Sequence, residues 1–188
     1  MKTSQIRIIG GDWRGRKLEF PSTSQQLRPT PGNIRETLFN WLAYDIAGAR
    51  CLDLYAGSGA LGVEALSRGA AEVTFVESDR ISAHLLQKNL TRLGSKAKVY
   101  TMDARRFVRQ ADGEWDIVFL DPPYRYGMLQ QILRLLDEQA CLARKALIYI
   151  EAERELGEVK LPPDWQYIKR KQASQIAYFL ASNNLQDE

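Results

Sequence analysis

An α/β fold, with a mostly parallel sheet covered by helices on both faces, follows from three features of the chain. From Arg50 onward, short runs rich in β-branched and aromatic residues alternate with stretches of helical periodicity, the spacing of βαβ units. Trp165 to Lys171 and Ile176 to Leu180 are strand-like runs joined only by Gln172 to Gln175, which predicts an antiparallel hairpin closing one side of the sheet. At the front, Ile6, Ile8 and Ile9, then Gly10-Gly11-Asp12-Trp13-Arg14-Gly15-Arg16 and Lys17-Leu18-Glu19-Phe20, read as a small glycine-rich β-hairpin.

In chain order, a helix is expected from Thr30-Pro31, with Thr30 as N-cap and Pro31 at the first position, running through Ile34, Leu38, Trp41 and Leu42. The five strands expected next are Cys51 to Leu54, Val73 to Val76, Ala97 to Tyr100, Trp115 to Leu120 and Ala146 to Ile150. Between them lie helical stretches at Ala60 to Arg68, Arg80 to Leu93, Ala104 to Gln110 and Met128 to Asp137. A sheet of this kind binds ligands at the carboxyl ends of its strands.

The chain has 188 residues, 45% hydrophobic and 26% charged, which suits one folded domain with at most a small appendage. We divide it into a basic hairpin extension at 1–25 and a main domain at 26–188. The longest apolar runs, Ile117 to Leu120 and Ala146 to Ile150, fall far below the roughly 20 residues of a membrane span, and no membrane partner is expected. The N-terminus lacks the apolar core of a secretory signal, so the mature chain is expected to start here, in the cytoplasm. Cys51 and Cys141 read as buried thiols, and a lone His84 cannot build a metal cluster or the usual nucleophile and base pair. No metal is expected. Residues 1–35 carry seven basic and two acidic side chains, a net +5 that leaves −2 for the remainder of a chain of net +3. Such a basic end suits contact with phosphate, although a solvated arm would have the same composition.

Leu52-Asp53-Leu54-Tyr55-Ala56-Gly57-Ser58-Gly59-Ala60-Leu61-Gly62 holds a G-x-G-x-x-G string between a strand and a helix. The string alone equally suits a dinucleotide turn. Glu77, at the end of the second of these strands, could accept from ribose hydroxyls in either case. Asp53 separates the readings, because a carboxylate beside the loop repels a pyrophosphate and attracts a cationic ligand. S-adenosylmethionine, an adenosine with an ammonium and a sulfonium, has that character. Asp103 with Ala104, after the third strand, would border its adenine.

Asp121-Pro122-Pro123-Tyr124 follows the fourth strand. The prolines fix φ near about −65° and lack amide hydrogens, so the turn offers carbonyl acceptors beside the Asp121 carboxylate. Two acceptors that hold both hydrogens of a nucleobase amine favour the pyramidal nitrogen formed as it attacks a methyl group, with Tyr124 stacked on the ring.

This tetrad and the glycine loop together resemble the amino-group methyltransferases that use S-adenosylmethionine. Arg7-Ile8-Ile9-Gly10-Gly11, Arg14-Gly15-Arg16, Leu27-Arg28-Pro29-Thr30 and Arg35-Glu36-Thr37-Leu38-Phe39-Asn40-Trp41-Leu42 are similar, more narrowly, to the bacterial family that methylates N2 of guanine 966 in 16S ribosomal RNA. The resemblance runs from about residue 5 to residue 181. It implies a Rossmann-like class I methyltransferase with a mostly parallel seven-stranded sheet. It implies cofactor binding by Asp53, Tyr55, Ala56, Gly57, Ser58, Gly59, Glu77, Ser78, Asp103 and Ala104, and target-base binding by Asp121, Pro122, Pro123 and Tyr124. The RNA contacts it implies are Arg7, Arg14, Arg16, Lys17, Arg28, Thr30 and Arg35, with 16S rRNA or a small-subunit assembly intermediate as partner. A monomer is expected. Trp13 suits either stacking on a base or anchoring the hairpin. The competing readings are a DNA adenine-N6 or cytosine-N4 methyltransferase, a non-catalytic RNA-binding assembly factor and, more remotely, an NAD-dependent dehydrogenase. The last leaves the tetrad without a task.

Overall fold

The computed structural model describes residues 2–22, 29–123, 127–157 and 159–183. β1 (Thr3–Arg7) and β2 (Lys17–Pro21) pair antiparallel as a two-stranded sheet. The main sheet follows, with α1 (Gly32–Trp41), β3 (Arg50–Asp53), α2 (Ala60–Ser67), β4 (Glu72–Val76), α3 (Arg80–Leu93), β5 (Lys98–Tyr100) and α4 (Ala104–Arg109). Next come β6 (Trp115–Leu120), α5 (Met128–Glu138), β7 (Leu142–Glu153), a 3₁₀ turn (Arg154–Leu156), β8 (Trp165–Ala173) and β9 (Ile176–Asn183). The seven strands lie in the order β5-β4-β3-β6-β7-β9-β8. β3 to β7 are mutually parallel, and β9 enters antiparallel between β7 and β8. The expected architecture is therefore observed, with strand and helix limits within a few residues of those read from periodicity.

Period-two alternation assigns the core to two faces. Val118, Leu120, Ile148 and Ile150 point to the side covered by α4 and α5, with Phe107, Ile132 and Leu136. Ile117, Phe119, Tyr149 and Leu180 point to the other side, where α1, α2 and α3 supply Leu38, Phe39, Leu61 and Leu86. Ile8 and Leu18 of the hairpin segment belong to this second core. The extension drawn at 1–25 forms its own sheet but shares the buried interior of the main domain.

Glu64, fully buried on α2, is the anchor between them. Its carboxylate accepts from the backbone of Ile9 at 3.0 Å and Gly10 at 2.7 Å. It also pairs with Arg35 at 3.3 Å and Arg68 at 3.0 Å. Ser67, one helical turn further, donates to the Gly10 carbonyl at 2.6 Å and accepts from the Trp13 amide at 2.9 Å. Gly11 stands at φ 73°, and a Cβ there would lie 1.7 Å from the Ser67 carbonyl, so only glycine permits this approach. Trp13 packs half-buried against the second core, the anchoring alternative, and its outer face remains available.

Two expectations change at α1. Thr30 is not its N-cap: Pro31 holds that position without a side-chain hydrogen bond, and the Thr30 hydroxyl is directed elsewhere. Arg35, expected at the RNA surface, is only 4% exposed. It donates from Nε to the Thr30 carbonyl at 3.1 Å and from a terminal nitrogen to the Arg7 carbonyl at 3.1 Å. Burial lowers its pKa, Glu64 opposes that shift, and Arg68 adds to it. Its positive charge serves a buried ion pair, not a phosphate.

Glu64→Ala removes the acceptor and leaves Arg35 buried without its counter-charge. The expected loss of stability is about 3–5 kcal/mol, read as a lower urea midpoint at unchanged m-value.

Candidate functional site

Five acidic residues stand at the carboxyl ends of five neighbouring parallel strands: Asp103 beyond β5, Glu77 beyond β4, Asp53 on β3, Asp121 beyond β6 and Glu151 on β7. Register makes this a consequence of chain length between elements: Asp53 pairs with Phe119, and Leu120 pairs with Ile150. Asp121 and Glu151 are each the next residue on their strands.

On the β3 side, the loop from Tyr55 to Gly59 turns tightly into α2. Its residues are buried except Tyr55, which is half-buried. Gly57 donates to Glu77 at 2.7 Å, and the other Glu77 oxygen accepts from the Asp79 amide at 2.7 Å. Glu77 thus braces the loop and is itself buried, at 9% exposure. Burial raises its pKa against these backbone donors. Ser78, next to it, is exposed. Asp53 is 3% exposed and accepts from the Gly62 amide at 3.0 Å. Burial pushes its carboxyl up to about 7, opposed by the Gly62 amide and aided by the Glu77 charge. It therefore lies beneath the loop, without an open face of its own. Gly59 is left-handed at φ 78°, and a Cβ there would come within 2.3 Å of Leu86. Its glycine is demanded by packing on α3.

Asp103 caps α4 by accepting from Arg105 at 3.0 Å and Arg106 at 3.2 Å, and pairs with the Arg105 guanidinium at 3.1 Å. The Arg105 hydrogen bond is the largest cause of its lowered pKa. Ala104 beside it is buried. The strand-end acids thus differ in kind: Asp103 is a solvated, paired carboxylate, whereas Asp53 and Glu77 are desolvated.

On the β6 side, Asp121 is half-buried, Pro122 buried and Pro123 exposed. Tyr124 lies outside the described residues, as does Arg28. The Asp121 carboxyl approaches the Thr30 hydroxyl at 3.5 Å. That hydroxyl hydrogen-bonds Glu151 Oε2 at 3.1 Å, and the same oxygen accepts from the Tyr149 hydroxyl at 2.9 Å. Thr30, expected among the RNA contacts, is 2% exposed and belongs to this buried network. It has one proton to offer to two carboxyl groups. Burial, then the neighbouring charges of Glu151 and Asp53, raise the Asp121 pKa well above its ordinary value, with Thr30 opposing. Glu151 rises as well, for burial, against the Tyr149 and Thr30 hydrogen bonds. The Thr30 hydroxyl thus stands between two carboxyls whose pKa values are both raised.

Glu151 and Tyr149 were absent from the sequence-derived site. The available signal was the strand-end rule itself: Glu151 directly follows the apolar run Ala146 to Ile150, as Asp121 follows Ile117 to Leu120. The remaining predicted RNA contacts, Arg7, Arg14, Arg16 and Lys17, are exposed on the hairpin, and one Arg16 guanidinium nitrogen donates to the Arg92 carbonyl at 2.8 Å.

The arrangement has a solution consequence. A carboxyl whose folded pKa is raised above its unfolded value, ~3.9, adds stability below that value and loses it as pH climbs through the folded one. Asp53→Asn keeps an acceptor for Gly62 and removes the charge. Relative to the wild type, the variant is expected to gain on the order of 2–4 kcal/mol between pH 4 and 7, measured by urea denaturation of the free protein.

Comparison with known proteins agrees with this geometry. The family profile described as conserved hypothetical protein 95 matches residues 6–182. Ribosomal RNA small subunit methyltransferase D of Escherichia coli is 49% identical over 187 residues, covering 99% of this chain and 94% of that protein. The Haemophilus influenzae protein of the same name is 42% identical over 184 residues, covering 95% and 94%. A solved Escherichia coli structure superposes with TM-score 0.88 at 48% identity, over 97% of this chain and 100% of the other. With the glycine loop, the strand-end acids and the Asp-Pro-Pro turn on one rim, and with this identity over nearly its full length, the chain belongs to the ribosomal RNA small subunit methyltransferase D family.

Proposed function

We propose that this protein transfers a methyl group from S-adenosylmethionine to the exocyclic N2 amine of guanine 966 in 16S ribosomal RNA. The observation that carries the reading is the adjacency of β3 and β6, which puts the Asp53 loop and the Asp121-Pro122-Pro123 turn side by side at one rim. The names of the Escherichia coli and Haemophilus influenzae relatives support ribosomal RNA of the small subunit as the substrate class.

The residues present suit the cofactor. Asp53 and Glu77 are desolvated acids, and among the described residues no Lys or Arg pairs with either, which favours a cationic ligand and disfavours a pyrophosphate. Glu77 would take the ribose, Tyr55 to Gly59 the chain that carries the charge, and Ser78, Asp103 and Ala104 the surroundings of the adenine. When bound, S-adenosylmethionine supplies an electrophilic methyl group.

Asp121, with a carbonyl of the Pro122-Pro123 turn, would accept the two hydrogens of the guanine amine, and Tyr124 would stack on the ring. As the nitrogen lone pair took the methyl carbon and the carbon–sulfur bond broke, leaving a neutral thioether, the nitrogen would become cationic and one of its hydrogens would have to leave. Asp121 is the nearest acceptor in this scheme. An enclosed carboxylate stabilises developing positive charge more than water does. The target guanine has to be drawn out of its stack to reach the rim, and Arg7, Arg14, Arg16, Lys17 and Arg28 would hold its backbone. We propose that it acts on this RNA in the cytoplasm and as a monomer. No helix among the described residues is long and apolar enough to cross a membrane.

Asp121→Ala should reduce incorporation of labelled methyl into small-subunit RNA from a strain lacking the protein by at least 100-fold, on the order of a lost electrostatic contact in the transition state. Retained wild-type turnover in this variant would remove Asp121 from the mechanism.

The Glu151 charge raises the Asp121 pKa, so removing it makes the Asp121 proton easier to lose. In Glu151→Gln the acidic limb of the pH–rate profile is expected to move to lower pH, with the basic limb unmoved. A limb that stays in place would show that Glu151 does not act on Asp121.

A further inference from the structure

β8 is the outermost strand of the sheet, and its charge is confined to one half. Trp165, Gln166, Tyr167 and Ile168 are uncharged; Lys169, Arg170 and Lys171 follow in succession, all three exposed. Lys on an edge strand is a common defence against edge-to-edge pairing. That defence would be needed equally along the uncharged half, where Ile168 stands 44% exposed. Three adjacent like charges instead suit a polyanion.

Register places the cationic half level with the catalytic rim. Lys171 pairs with Tyr178, and Tyr178 pairs with Glu151. At about 4.8 Å per strand step, the Lys171 backbone lies about 10 Å from that of Glu151 and about 14 Å from that of Asp121. Registered residues share a face of the sheet. Lys169 is registered with Leu180 and Lys171 with Tyr178, both core residues of the face that carries α1 and the N-terminal hairpin. Lys169 and Lys171 therefore emerge on the hairpin's side. Arg170 takes the opposite side, with its guanidinium 4.1 Å over the Tyr167 ring. Among the described residues no carboxylate forms an ion pair with Lys169 or Lys171.

The Arg7 end of β1 is linked to the same rim. Arg35 joins the Arg7 carbonyl to the Thr30 carbonyl, and the Thr30 hydroxyl meets Glu151. Of the hairpin's basic residues, Arg7 is the one linked in this way; Arg16 donates to the Arg92 carbonyl in the last turn of α3, toward the other end of the sheet. Extruding a base costs stacking energy, and holding the backbone both before and after the nucleotide helps to offset it.

We propose that the cationic half of β8, led by Lys169 and Lys171, is an RNA-backbone contact beside the catalytic rim, additional to the N-terminal hairpin. This rests on the RNA reading above and adds a surface to it. The test compares wild type with Lys169→Gln/Lys171→Gln in binding an RNA stem-loop of the small subunit over a salt series. Losing two phosphate contacts is expected to reduce the slope of log affinity against log salt by about 1.4 for a single strand. Melting temperature and S-adenosylmethionine affinity should match the wild type. An unchanged slope and affinity overturn the proposal. If the double variant does not fold, acetylation of the wild-type protein decides: RNA should protect Lys169 and Lys171 but not Lys145, which is exposed toward the other end of the sheet. Wild-type protein that methylates RNA while both lysines stay fully reactive defeats this inference alone. Wild-type protein that neither binds nor methylates RNA defeats the functional reading as well.

Discussion

Crowding of desolvated carboxyl groups along one sheet edge is the constraint from which the rest of this site follows. Asp53, Glu77, Asp121 and Glu151 occupy adjacent strand ends, and no basic side chain among the described residues makes an ion pair with any of them. Such a row can be kept in three ways: with backbone donors, with protons, or with a cationic ligand. The structure uses the first at Glu77 and Asp53, through the amides of Gly57, Asp79 and Gly62. The second is favoured at Asp121, where burial and the charges of Glu151 and Asp53 raise the carboxyl pKa, and at Glu151, where burial does. The third is what a sulfonium cofactor offers, and it suits Asp53, which would repel the pyrophosphate of a dinucleotide.

A second constraint ties the N-terminal hairpin to the main sheet's helices. The N-terminal hairpin is tied to α2 by Glu64 and Ser67, and α2 is the helix that the cofactor loop opens. Arg35 extends the same contact to Thr30 and hence to Glu151. The hairpin thus leans on the element that shapes the cofactor pocket. Its glycines serve that closeness: Gly11 lets the backbone meet Ser67, much as Gly59 lets the loop meet Leu86.

The elements most legible in the sequence were those with a strong period and clean boundaries. Arg80 to Leu93 is a helix over the residues its periodicity marks, with Asp79 as N-cap and Gly94 in the left-handed conformation at its end. Asp53, Glu77, Asp103 and Asp121 were found because each terminates a recognisable strand. Glu151 obeys the same rule, directly after the apolar run Ala146 to Ile150, but no turn or glycine follows it to mark the rim, and its strand continues to Glu153. Arg35 was misread for a different reason. A charge count cannot distinguish an arginine facing solvent from one whose counter-charge, Glu64, lies 29 residues away and becomes its neighbour only when α1 packs on α2. Thr30 misled similarly, since a threonine before a proline carries a strong capping signal that a pair of buried carboxyls outcompeted.

The central claim is that this rim delivers a methyl group to one exocyclic guanine amine. Mass spectrometry of the nucleosides from 16S ribosomal RNA of a strain lacking the protein addresses it most directly. The account predicts that N2-methylguanosine disappears from position 966, leaves unmodified guanosine there, and returns with the wild-type gene. An unchanged N2-methylguanosine content, or the loss of a methyl group from an adenine or cytosine instead, would contradict it.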